Sequence, residues 1–152
     1  MKAVIQRVSE ASVAVEGKTV GACKKGYLIL LGVAEGDSEE DAELLSRKIA
    51  ALRIFQDGNG KMNLSVRDID GEILVISQFT LLADYRHGNR PDFLASAKPE
   101  EANRLYEYFK KLLRHEVRRL ESGIFGADMK VSLVNDGPVT ICMDSTVLRK
   151  KK

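Results

Sequence analysis

Two short stretches of this chain depart from the elements around them, and both carry groups suited to handling a polar substrate. The first is Ser77-Gln78-Phe79-Thr80-Leu81. Here an apolar run, Glu72 to Ser77 (EILVIS), ends abruptly in Ser, Gln and Thr, whose hydroxyl and amide groups donate and accept hydrogen bonds. The second is Asn135-Asp136-Gly137-Pro138-Val139-Thr140, set between two strand-like segments. Proline has no N–H to give to a sheet ladder, so Pro138 marks a sharp break. Gly137 before it tolerates torsions that other residues resist, and an X-Pro bond is the usual home of a cis peptide. By periodicity alone, each stretch is also simply a strand end and a turn.

Familiar catalytic patterns are missing from the sequence. It has no nucleophile elbow with a Ser-His-Asp triad, no phosphate-binding glycine loop, no dinucleotide fingerprint and no HExxH. Its two histidines are His87, in a polar loop, and His115, between Arg114 and Glu116 on a helix that turns it to solvent. If the chain is a hydrolase, its chemistry does not rest on a histidine base. Cys23 and Cys142 are too far apart in sequence to form a zinc-ligand spacing and are read as reduced packing residues. Neither a metal nor a cofactor is expected.

Composition sets wide bounds. The 152 residues suit one domain, taken as 1–152, and 44% hydrophobic with 30% charged residues is ordinary for a globular protein. No apolar run approaches the roughly 20 residues of a membrane helix, and the opening MKAVIQRVSEASVAVEG alternates like a strand instead of forming a signal-peptide core. A cytoplasmic location with no membrane partner is the expectation. A formal charge of +2 does not announce a nucleic-acid binder. Basic residues do gather locally: Arg86, His87 and Arg90 in one loop, Lys110, Lys111, Arg114, Arg118 and Arg119 on one helix, and Arg149 to Lys152 at the tail. Such runs are ordinarily solvated faces, though they would also suit a phosphate backbone.

The elements that must position these groups can be read in outline. Alternation through Lys2–Val8 and Ser12–Val15, a turn at Glu16-Gly17-Lys18, a return over Thr19–Cys23 and an apolar run Tyr27–Val33 predict strands. Ser38 is a candidate N-cap for a helix whose Ala42, Leu45, Ile49 and Leu52 recur at helical spacing. Asp57-Gly58-Asn59-Gly60 predicts a hairpin turn, Arg53–Phe55 and Met62–Val66 its two arms, and Glu72–Ser77 a further strand. A second helix is expected from Pro99 to a C-cap at Gly123, with an apolar stripe of Ala102, Leu105, Phe109, Leu112, Val117 and Leu120. Two strands, Met129–Val134 and Val139–Val147, complete the chain. The fold class is α+β: a mostly antiparallel sheet or partial barrel with two principal helices.

SQFTL at 77–81 and NDGPVT at 135–140 resemble the paired signature motifs of the D-aminoacyl-tRNA deacylases. Similarity extends through MKAVIQRV at the start, GNRPDF at 88–93 and FGADMKVSLVNDGPVTI at 125–141. The resemblance implies an enzyme that cleaves the ester at the 3′ end of an aminoacylated tRNA, built as a homodimer with active sites at the subunit interface. It implies that Gly137-Pro138 is a cis dipeptide reaching into the partner's site, where it rejects L side chains but admits D-residues and glycine. Ser77, Gln78, Phe79 and Thr80 are then the catalytic set, with the N–H groups of Phe79 and Thr80 as oxyanion donors. Arg7, Phe125, Met129 and Asn135 are expected to bind substrate, Phe125 and Met129 holding the terminal adenine and Arg7 pinning the Gly-Pro segment. Thr80 is read as a positioning group, water being activated with help from the RNA's 2′-hydroxyl. In the loop, Tyr85 and His87 depart from the family pattern, which leaves contacts to the tRNA body open. From the residues alone, a peptidyl-tRNA hydrolase and a non-catalytic RNA-binding module stand nearly level with this reading.

Overall fold

The structure, a computed structural model, describes residues 1–150. Its backbone is one long strand, β1 (Lys2–Val15), against which almost everything else is registered. The first half of β1 pairs antiparallel with β3 (Gly26–Gly32), and the second half pairs on the same side with β2 (Lys18–Cys23). The positive φ angles of Glu16 and Gly17 make the tight turn between β1 and β2. The other edge of β1 is taken by β8 (Lys130–Asp144), also antiparallel. Parallel pairing then adds β6 (Glu72–Ser77) to β3 and β7 (Arg119–Ser122) to β6. A separate hairpin, β4 (Phe55–Gln56) and β5 (Met62–Leu64), closes over the predicted Asp57–Gly60 turn.

The sheet curls until β7 returns to β2, where the Ala22 N–H donates to Glu121 Oε1 at 3.1 Å. This nearly closed, mostly antiparallel sheet matches the expected class, the two parallel pairs being its exception. Strand alternation sorts the apolar residues onto two sides. Ile5, Tyr27, Ile29, Ile73 and Val75 face outward to the helices, while Val8, Val13, Leu28, Leu74 and Ile76 fill the inside of the curl. Both faces of β3 and β6 are therefore buried, which explains their near-continuous apolar runs.

Helices α1 (Glu39–Ala51) and α2 (Pro99–Arg114) cover the outer face. α1 begins at Ser38, as expected, and its third residue, Asp41, reaches back to accept the Ser38 N–H at 2.9 Å. Pro99 opens α2, but that helix ends at Arg114, not near Gly123. Val117 and Leu120 continue the helical spacing, yet Arg119–Ser122 pairs with Glu72–Val75 instead, since the sheet edge offers backbone partners that a longer helix would leave empty. The two C-terminal strands also merge into one. β8 runs unbroken in direction and ends at Asp144, and Ser145–Leu148 forms a short third helix, α3. Of the cysteines, Cys23 packs inside the curl and burial pushes its thiol up to about 12, whereas Cys142 is exposed on β8, not a packing residue. Among the described residues, no helix is long and apolar enough to cross a membrane.

Candidate active site

The end of β6 is where the sheet stops and polar chemistry begins. Ser77 is the last β6 residue in register, opposite Leu31, and the Gln78 N–H still donates to the Leu31 carbonyl at 2.8 Å. The chain then tightens into a 3₁₀ turn, Phe79–Leu82, whose Leu81 N–H returns to the Gln78 carbonyl at 3.2 Å. This turn rests on the end of β3 at Gly32, where a Cβ would stand 3.0 Å from the Gln78 carbonyl oxygen and 2.6 Å from Leu82 Cδ2. The N–H groups of Phe79 and Thr80 precede the first bond of the turn, so the turn itself offers them no acceptor.

Beside this turn lies a cavity of about 470 Å³. Ser77, Gln78 and Phe79 form one wall, Phe125 and Met129 another, and Ala97 and Ala102 the floor toward α2. Its size and mixed lining suit a small organic group. Three supports of this site escaped the sequence reading. Phe93 packs edge-on against Phe79 at 5.1 Å, Ser96 Oγ donates to the Phe79 carbonyl at 3.5 Å, and Tyr106 backs Phe125 at 6.0 Å. Of these, only Phe93 left a trace in the sequence, as the last residue of GNRPDF, without a role; Ala102 of the floor opened the apolar stripe of α2.

Thr80 is exposed and lies outside the cavity lining. Its hydroxyl oxygen is the acceptor of a short hydrogen bond from Gln78 Nε2. Neither atom of an amide can take up a proton at neutral pH, so this contact orients the hydroxyl without activating it.

The second motif forms a separate constellation. Asn135 pairs with Val8 and Thr140 with Gln6, so the four residues Asp136–Val139 arch out opposite Arg7 alone. Gly137-Pro138 is a cis peptide, and both residues are exposed on this arch. Gly137 has φ +136°, and a Cβ there would meet Val139 Cγ2 at 2.8 Å and Arg7 Nη2 at 3.0 Å, so the position requires glycine. Arg7 is buried at the foot of the arch. Its Nε donates to the Asp136 carbonyl at 2.9 Å and its Nη1 to the Ile54 carbonyl at 2.7 Å. Asn135 is engaged within its own neighbourhood, with Gln6, Thr140 and Val139. Within the chain the two constellations stay apart, since neither Gly137 nor Pro138 lines the cavity.

Two other features turn out to be self-satisfied. A cavity of about 480 Å³ at the other end of the curl is lined by Glu10, Cys23, Glu72 and Arg119. There, Glu72 accepts from the Lys24 N–H and from Arg118, and Arg119 pairs with Glu121. The basic run of α2 and β7 is largely neutralised too. Arg118 also faces Asp70, and Lys110 is buried between Ser122 Oγ and Glu107. In the loop, Arg86 clamps Asp84 and holds its carboxyl down at about 2, which leaves His87 and Arg90 as the loop's other basic groups. In the basic tail, Arg149 pairs with Asp41, and Lys151 and Lys152 lie outside the described residues.

The chain as a whole is similar to known proteins. A family model described as D-Tyr-tRNA(Tyr) deacylase matches residues 4–144. The chain belongs to the D-Tyr-tRNA(Tyr) deacylase family. A D-aminoacyl-tRNA deacylase of Thermotoga petrophila is 57% identical over 148 residues, 97% of this chain and 99% of that protein. One from Akkermansia muciniphila is 59% identical over 146 residues, covering 95% and 97% of the two chains. Among solved structures, one described as a c-Myc DNA unwinding element binding protein superposes with a TM-score of 0.90 at 44% identity, covering 95% of this chain and 98% of its own. A probable eukaryotic D-amino acid tRNA deacylase shares the fold, with a TM-score of 0.79 at 17% identity, covering 93% and 97%.

Proposed function

We propose that this chain is a D-aminoacyl-tRNA deacylase, which hydrolyses the ester between a D-amino acid, or glycine, and the 3′-terminal adenosine of tRNA while sparing L-aminoacyl esters. The observation that carries the reading is the juxtaposition, in one cavity, of the Ser77–Phe79 turn with the apolar pair Phe125 and Met129. An adenine base is planar and apolar-faced, and apolar or aromatic side chains are the usual grip on an unstacked RNA base. With adenine between Phe125 and Met129, the ester lies toward Phe79 and Thr80, whose N–H groups have no acceptor in their own turn. Preorganised donors of this kind stabilise the oxyanion of a tetrahedral intermediate, and losing one costs about 3 kcal/mol of barrier.

Thr80 orients, and water is the nucleophile. The hydroxyl of Thr80 receives an amide N–H from Gln78 and has no histidine or carboxylate partner among the described residues. The vicinal 2′-hydroxyl of the substrate supplies the assistance to water that the protein lacks. Activity should accordingly fall on a substrate ending in 2′-deoxyadenosine, as single-turnover assays would reveal.

Discrimination between D and L esters falls to the Asp136–Val139 arch of a partner subunit in a homodimer acting in the cytoplasm. Support comes from the arch's exposure, its distance from its own cavity and the buried Arg7 that braces it. A rigid backbone wall excludes an L side chain more sharply than a soft pocket can, where one methylene is worth about 1–3 kcal/mol. Matched D-Tyr-tRNA and L-Tyr-tRNA test the proposal directly. Hydrolysis of the D-ester with the L-ester left intact is expected; equal rates on both, or none on the D-ester, would sink it.

A further inference from the structure

The arch leaves β8 at Asn135 and rejoins it at Thr140, and the neck between them is closed by one side chain. Asn135 Nδ2 donates to Gln6 Oε1 at 2.7 Å and to Thr140 Oγ1 at 3.1 Å, while Asn135 Oδ1 accepts the Val139 N–H at 3.0 Å. Both amide hydrogens and the carbonyl oxygen of Asn135 are thus engaged, which ties the two legs of the arch to each other and to β1. Gln6 and Arg7 are neighbours on β1, and successive strand residues point to opposite faces. The arch is therefore held from both faces of the sheet: Arg7 grips the Asp136 carbonyl from one, and Gln6 grips Asn135 from the other.

We propose that Gln6, acting through Asn135, is a positioning residue of the deacylase, setting how Gly137 and Pro138 project from β8. This rests on the reading of Gly137-Pro138 as the wall that excludes L-amino acids. Gln6 touches neither the cavity nor the arch tip, so its effect passes through the hydrogen bonds of the neck. Arg7 anchors the outgoing leg at Asp136; on the returning leg, where the β1 ladder resumes only at Thr140, the Asn135 amide, oriented by Gln6, adds side-chain bonds to Val139 and Thr140.

Two substitutions of near-equal size separate the acceptor from the bulk. Gln6→Met removes the oxygen that Asn135 donates to, and Gln6→Glu restores an acceptor. In the purified protein, Gln6→Met should speed hydrogen exchange at the Val139 amide roughly fivefold, the value of one ordinary hydrogen bond. It should also lower the D/L ratio of kcat/KM, with kcat on the D-ester changed less than that ratio. Gln6→Glu should return both readouts toward the parent. Unchanged Val139 exchange in Gln6→Met, or a Gln6→Glu variant no better than Gln6→Met, would overturn the proposal. Faster exchange with an unaltered D/L ratio would instead overturn the wall reading while leaving the clamp intact. Should Gln6→Met fail to fold, Thr140→Val removes the other acceptor at an exposed position and is read by the same two measurements.

Discussion

Arg7 is a buried guanidinium whose recorded partners are both backbone carbonyls, those of Asp136 and Ile54. A charged donor serving two neutral acceptors makes strong hydrogen bonds, and deleting it strands both acceptors in a partly dry setting. Arg7→Met should cost about 3 kcal/mol of stability, measured as a drop in the urea midpoint, and should relax D/L selection because the foot of the arch is released. Its near neighbour Gly137 is constrained differently. With φ at +136° and a Cβ there only 2.8 Å from Val139 Cγ2 and 3.0 Å from Arg7 Nη2, Gly137→Ala displaces the arch against Val139, at the margin of the outer core, and against Arg7. D-ester hydrolysis by that variant should fall at least tenfold, about 1.4 kcal/mol, under conditions where circular dichroism shows it still folded; parent-like rates would count against the arch as part of the site. Thr80 offers the opposite contrast. If it orients and does not attack, Thr80→Ala should keep a measurable fraction of the parent rate; the loss of all activity above background would favour a nucleophile.

At the scale of elements, the clearest titratable coupling joins α1 to α3. Asp41 is buried, which pushes its carboxyl up, but hydrogen bonds from Ser145 Oγ, the Ser38 N–H and the Arg149 guanidinium outweigh burial and hold it below the ordinary aspartate range. A carboxyl with a depressed folded-state pKa stabilises the fold fully above its unfolded value of about 3.9 and loses that contribution as pH falls through the folded value. Asp41→Asn should therefore be less stable than the parent at pH 7, with the gap narrowing below about pH 4; a gap that widened on acidification would contradict this sign. The same scale explains the misread helix. From Pro99 to Arg114 the helical spacing is matched by contacts with the outer core, but Val117 and Leu120 follow that spacing inside a segment that joins the sheet. Periodicity reports which residues seek burial, and it is silent on whether a neighbouring strand edge stands open.

At the scale of the whole molecule, the wall and the cavity belong to different parts of the surface, and the proposed dimer is what unites them. Subunit mixing checks this. A Gly137→Ala subunit has an intact cavity, and a Phe125→Ala subunit has an intact arch, so a mixed dimer should contain one complete site. Refolding the two impaired variants together should raise activity to about a quarter of the parent's, since half the dimers are mixed and each holds one good site of two. No gain on mixing would place the arch in its own subunit's site or outside catalysis. Sedimentation of the parent as a monomer would rule out the shared site altogether.

Much of this was legible in the chain before folding. Ser38 as a cap, the Asp57–Gly60 turn, the Glu72–Ser77 strand and the polar residues that follow it are local features, decided by side-chain chemistry within a few residues. The two motifs likewise announce themselves by residue type, because proline and glycine have backbone restrictions that no distant contact alters. What the tertiary structure decided was every relation between segments. It joined the last two strands into a single β8 with an arch over Arg7, ended α2 at Arg114, and set Phe93, Tyr106 and Gln6 against Phe79, Phe125 and Asn135. It also brought acids far away in sequence to two of the basic residues, Glu72 to Arg118 and Asp41 to Arg149. Pairing partners and ion pairs depend on which surfaces meet after the sheet curls, and that follows from the burial of the whole apolar set at once, not from any stretch read alone.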